Sequence, residues 1–177
     1  MITSLVVTVI GPDRPGIVSL LSDRAKGFDA NWAGSRMASL AGQFAGMVHF
    51  EVPREKADAL SAALRELETA GLRILIAHSE GAVLPDERRL VKIELVGHDR
   101  PGIVRDFSKS LADRGVSIEE LHTEIVSGAM SAEHLFKVQA SLLVPTALSN
   151  AEVRRGLEDL ANEMMVDIAL DDRPIRS

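Results

Sequence analysis

The chain has 177 residues, 46% of them hydrophobic, enough for one core or two small ones. Its 20 Lys and Arg against 26 Asp and Glu leave a net charge of -6, a field that repels phosphate backbones, so direct nucleic-acid binding is not expected. The lack of cysteine excludes disulfides, thiolate zinc sites and a cysteine nucleophile.

Residues 1–10 are apolar but break into a Gly-Pro turn, with neither a basic leader nor a small-residue cleavage signal, and predict a strand. No run of 18 apolar residues occurs, so no membrane association is expected and a cytoplasmic location follows by default. The strand runs into Gly11-Pro12-Asp13-Arg14-Pro15-Gly16-Ile17-Val18. From residue 97 the chain reads Gly97-His98-Asp99-Arg100-Pro101-Gly102-Ile103-Val104, a near copy at an offset of 86. There too a strand precedes, with Val91, Ile93 and Leu95 alternating with Lys92 and Glu94.

Ile17, Leu21, Ala25 and Phe28, like Ile103, Phe107 and Leu111, recur every three or four residues and predict amphipathic helices. Pro15 and Pro101 are placed in the first turns, where a missing N–H is tolerated, and Gly27 and Gly115 at left-handed ends. Mixed stretches 31–40 and 117–126 follow, each with a Gly-rich turn and an alternating run ending at Pro53 or Pro145. Those prolines lie 92 apart, so about six residues are added in the second copy, placed in a hairpin loop at 127–132. Second helices are marked by Ala57, Leu60, Leu64 and Leu67, and by Val153, Leu157, Leu160, Ala161 and Met164 behind a capping box of Ser149 and Glu152. Strands at 72–77 and 165–170 close the copies, and the polar segment 79–89, with Gly81 and Pro85, reads as a linker.

The expected division is an N-terminal domain 1–78, linker 79–89, C-terminal domain 90–171 and tail 172–177. Strand, helix, strand, strand, helix, strand in roughly 80 residues is the split βαβ order of a ferredoxin-like α+β fold. It predicts antiparallel sheets with two helices on one face. If Leu5, Val7 and Val9 face the helices, the opposite face carries Val6, Thr8, Ile10 and Met47 in the first copy but Lys92, Glu94, Val96 and Gln139 in the second.

The paired Gly-x-Asp-Arg-Pro-Gly-Ile-Val segments, with Asn31 after the first helix, resemble ACT domains over residues 5–77 and 90–170. The resemblance implies two tandem βαββαβ ACT domains, a small amino acid as ligand, glycine or serine favoured, and regulation through a protein partner. Two copies with nothing attached are similar to the glycine cleavage system repressor family, which implies that the partner is a transcription regulator. A subunit adjusting a metabolic enzyme and a ligand-free oligomerisation module are the alternatives. A homodimer is expected.

The loop chemistry bears on the ligand independently. Helix starts present unpaired N–H groups with partial positive charge, suited to a carboxylate. Asp13 and Asp99 could accept from an α-ammonium or cap their helices. Asn31 offers donor and acceptor on one amide where the second copy has Ser117, so the first copy is expected to bind more tightly. The candidate ligand-binding residues are therefore Gly11, Asp13, Arg14, Pro15, Gly16, Ile17 and Asn31, and Gly97, His98, Asp99, Arg100, Gly102, Ile103 and Ser117. The ligand is expected between the loop of one unit and the second strand of a paired unit.

Gly11 to Gly16 has phosphate-loop spacing, but Ile17 and Val18 replace the Lys and hydroxyl residue a nucleotide site requires. The five histidines, His49, His78, His98, His122 and His134, lack zinc spacing, and no common catalytic constellation appears, so no metal, cofactor or enzymatic activity is expected.

Overall fold

The computed structural model describes residues 1–79, 88–127 and 134–171. The chain forms two compact units, Met1–Val83 and Leu84–Ser177. In unit one, β1 (Ile2–Pro12) is followed by α1 (Ile17–Lys26), β2 (Asn31–Leu40), β3 (Gln43–Pro53), α2 (Ala57–Arg65) and β4 (Arg73–Ser79). Short 3-10 turns, Arg54–Lys56 and Glu66–Ala70, flank α2. Unit two repeats the order: β5 (Arg88–His98), α3 (Ile103–Ala112), β6 (Ser117–Ser127), β7 (His134–Pro145), α4 (Asn150–Met164) and β8 (Asp167–Asp171). Each sheet is antiparallel, ordered β2-β3-β1-β4 in one and β6-β7-β5-β8 in the other. This is the ferredoxin-like arrangement.

Period-two alternation places the cores. Leu5, Val7 and Val9 of β1 are fully buried with Val48, Phe50 and Val52 of β3, against Ile17 and Leu21 of α1 and Leu60 and Leu64 of α2. Unit two buries Ile93 and Leu95 with Val138, Leu142, Phe107 and Leu160. The helix starting at Asn150 carries the expected capping box: Glu152 N–H donates to Ser149 Oγ at 3.2 Å and Ser149 N–H to Glu152 Oε2 at 2.8 Å. Matching bulges interrupt β2 between Trp32 and Gly34 and β6 between Ile118 and Glu120.

The predicted helix boundaries need two corrections. Pro15 and Pro101 lie outside the helices, because Gly16 and Gly102 are the N-caps and the helices begin at Ile17 and Ile103. Gly27 is right-handed, with φ -64°, and the left-handed residue after α1 is Asp29, φ 55°. Gly115, φ 71°, is left-handed as predicted.

The β2–β3 connection is the two-residue turn Ala41-Gly42, both with positive φ. The expected hairpin insertion, apart from Ser127, lies outside the described residues, as do most of the linker and the tail. β4 extends to Ser79, and β5 begins at Arg88.

The sheet faces turned away from the helices differ between units. In unit one Met47, Thr8 and Leu75 form a row across β3, β1 and β4, with Ile10 next along β1. Met47 is 50% exposed, Leu75 70% and Ile10 43%. In unit two Glu94 is paired with Gln139 and accepts from its amide at 3.2 Å, and Lys137 lies 3.1 Å from the same carboxylate oxygen. Gln139 first, then Lys137, hold the Glu94 carboxyl below its usual value. Among the described residues no helix is long and apolar enough to cross a membrane.

Candidate functional site

The loop between β1 and α1 is built by two glycines with separate duties. Gly11 lies within β1 and is packed against the turn before β4: a Cβ there would sit 2.9 Å from Gly71 O and 2.8 Å from Leu72 Cδ2. Gly97 repeats this against Val166, at 2.4 Å. The sharp reversal falls instead to Gly16 and Gly102, with φ, ψ of 95°, -3° and 86°, 0°, the third position of a type II turn whose second is Pro15 or Pro101. The prolines therefore set the turn rather than start the helix.

In unit two this turn is closed by Ile103 N–H donating to Arg100 O at 3.4 Å. In unit one the first helical bond is Leu20 N–H to Gly16 O at 2.9 Å, which leaves the N–H groups of Ile17, Val18 and Ser19 ahead of it. Neither helix start carries a side-chain cap, so Asp13 and Asp99 do not take the N-cap role open to them on sequence. Both are exposed, and each ties the loop through its backbone: Asp13 N–H to Gly42 O at 2.9 Å, Asp99 N–H to His134 O at 3.1 Å.

The two arginines diverge. Arg14 donates to the carbonyl of Ala70, clamping the loop to the turn before β4, while Arg100 pairs with Asp106 of α3 at 3.0 Å. The position matching Asp106 is Leu20, so unit one offers no acid there. Pro15, Pro101 and His98 are exposed, and Ile17 and Ile103 are buried beneath the turns. Gly42, Ala70 and Gly71 complete the frame of the first loop. The Ala-Gly turn was visible as a Gly-rich hairpin, but nothing local in the sequence brings residue 70 to residue 14.

Asn31 is not brought to this loop within its own unit. It pairs with Glu51, itself opposite Ser4, whereas Gly11 lies opposite Phe44. At about 3.3 Å per strand residue, that separates the two by about 23 Å along the sheet. Asn31 donates to Glu51 Oε2 at 3.2 Å. Ser117, pairing with Leu143 opposite Leu90, is equally remote from Gly97 and accepts from Arg88 at 2.6 Å. The loop and the first residue of the second strand therefore stand at opposite ends of one unit, while the end of that strand, Ser39 and Leu40, lies level with Gly11 and Pro12. Among the described residues no cluster of His, Asp or Glu is arranged to hold a metal.

An ACT domain family model matches residues 3–75 and 89–171. An unknown protein from Galdieria sulphuraria is similar in structure, with 33% identity over 96% of this chain and 98% of that one and a TM-score of 0.83. A protein to which the role of glycine cleavage system transcriptional repressor has been attributed shares 18% identity over 97% of both chains, with a TM-score of 0.74, a likeness of fold. No curated protein sequence is significantly similar. With two family matches in register with the two βαββαβ units, the chain belongs to the ACT domain family.

Proposed function

We propose that this protein is an amino-acid sensor of the glycine cleavage system repressor type, binding glycine or serine at loop 11–16 and acting by contact with a transcription regulator. The observation that carries this reading is the uncapped start of α1: the N–H groups of Ile17, Val18 and Ser19 precede the first helical bond, with the exposed carboxylate of Asp13 four residues before Ile17. The helix start suits an α-carboxylate and Asp13 suits an α-ammonium, so the pair fits a zwitterion with a small side chain. The second loop, whose turn is already closed at Ile103 N–H, is the weaker site.

The best small ligands gain about 1.5 kcal/mol per heavy atom, so glycine's five atoms limit binding to about -7.5 kcal/mol, a micromolar dissociation constant at the tightest. That range suits a metabolite pool. A calorimetric screen of the amino acids tests the reading: heat with glycine or serine supports it, and no heat with any amino acid at millimolar concentration overturns it. Capture from a lysate with the ligand present then separates a transcription regulator from a metabolic enzyme as the partner.

A further inference from the structure

We propose that unit two carries a second, separate site, for a small apolar carboxylate, in a crevice between α3 and α4. The crevice holds about 280 Å³. Its floor is Leu111, Leu142, Leu157 and Leu160, all buried, and its rim includes the exposed Arg114 and Glu152 and the half-buried Gly156.

The corresponding positions in unit one carry bulkier side chains. At the repeat offset of 86, Phe28 stands where unit two has Arg114 and Trp32 where it has Ile118. Asp29 and Gly115, with φ 55° and 71°, share the left-handed backbone that fixes this correspondence. At the offset of 92 seen in the prolines, Phe50 matches Leu142. Trp32 and Phe50 pack edge to face with ring centres 5.2 Å apart, and Phe28 packs on the same core. Matching Leu60, Leu64 and Leu67 with Val153, Leu157 and Leu160 sets the buried Ala63 opposite Gly156. Arg114, Leu142 and Gly156 thus line the crevice where unit one has Phe28, Phe50 and Ala63, so a ring is replaced by a guanidinium, another by an aliphatic side chain, and a methyl is missing.

Sterics do not require Gly156. A Cβ there would meet only the Arg114 side chain, Nε at 3.4 Å and Cδ at 3.6 Å, while glycine inside a helix is destabilising relative to alanine. The open volume is therefore kept against helix propensity. A dry apolar cavity of roughly 150 Å³ admits benzene, so this one accommodates a ring with a short tail.

The charge of the tail follows from the rim. Arg114 Nη1 donates to Ser110 O at 2.8 Å and to Ser110 Oγ, which engages part of a guanidinium with five N–H donors suited to a carboxylate. Glu152 is engaged by the Ser149 N–H and hydroxyl, at 2.8 and 2.7 Å, in the helix cap.

The test titrates the full chain with 3-phenylpropionate and with 2-phenylethylamine, which pairs the same ring with a cation. The carboxylate is expected to bind at least about tenfold more tightly than the amine, and Arg114→Met to weaken it about tenfold. Gly156→Leu, which fills the crevice, is expected to abolish binding with the helical circular dichroism intact. No binding of 3-phenylpropionate at millimolar concentration, equal binding of the amine, or affinity unchanged in Arg114→Met would each overturn the proposal. If Gly156→Leu fails to fold, Arg114→Met decides.

Discussion

Gly11 and Gly16 look alike in the sequence but fail differently when substituted. Gly16, at φ 95°, puts Ala in a left-handed conformation with open space around it, a strain of about 1 kcal/mol. Gly11→Ala meets the Gly71 carbonyl at 2.9 Å, a backbone atom that cannot swing away, and overpacking of this kind costs about 1–3 kcal/mol. Thermal melts should place Gly11→Ala below Gly16→Ala, and the reverse order would contradict the division of duties. Ser61 provides an opposite case, since its buried hydroxyl has no hydrogen-bond partner among the described residues. Ser61→Ala removes that unsatisfied group and should stabilise the chain by about 1 kcal/mol, read by urea denaturation. The repeat made both loop glycines legible. It could not reveal that Gly71, sixty residues after Gly11, sets the contact, because that proximity exists only after β1 and β4 pair.

At the scale of elements, periodicity located the buried faces of β1 and α3, since Leu5, Val7 and Val9 or Ile103, Phe107 and Leu111 are buried as their spacing requires, whereas β2 and β6 read only as mixed stretches. Ends were less legible. Gly27 is a plausible helix stop, yet Asp29 takes the left-handed conformation, as Asp tolerates it better than most residues. The cap of α4 adds a pH dependence. Hydrogen bonds from Ser149 hold the Glu152 carboxyl below its usual value. A carboxyl depressed by folding contributes stability above its unfolded pKa, about 4.3, and loses that contribution as pH falls through the lower folded value. The acid limb of thermal stability should therefore flatten in Glu152→Gln, and an unchanged limb would assign it elsewhere. The apolar row of β1, β3 and β4 is proposed as the dimer face. Val6→Glu with Ile10→Lys should abolish self-association in sedimentation, with unfolding of the chain shifted by less than about 1 kcal/mol. A large loss of stability with association intact would place those residues in a core.

Across the whole molecule, one fold is used twice with different investments. Unit one keeps the open α1 start, an apolar sheet face and an aromatic-filled core; unit two has a closed turn, a charged face and an apolar crevice. The sequence announced the duplication through one eight-residue motif, and the difference between Asn31 and Ser117 suggested that the first loop binds more tightly. Asn31 lies at the far end of its own sheet from that loop, so the proposed order rests instead on the turn that Ile103 N–H closes in the second loop. The central claim, that a small amino acid binds at loop 11–16, is tested most directly by backbone amide shifts of the isotope-labelled chain titrated with glycine and serine. The largest shifts are predicted at Gly16, Ile17, Val18 and Ser19, with smaller ones at Gly102 and Ile103, and with Asp13→Ala weakening them by about tenfold. Saturating ligand that leaves those amides unmoved, or shifts confined to other parts of the chain, would contradict it.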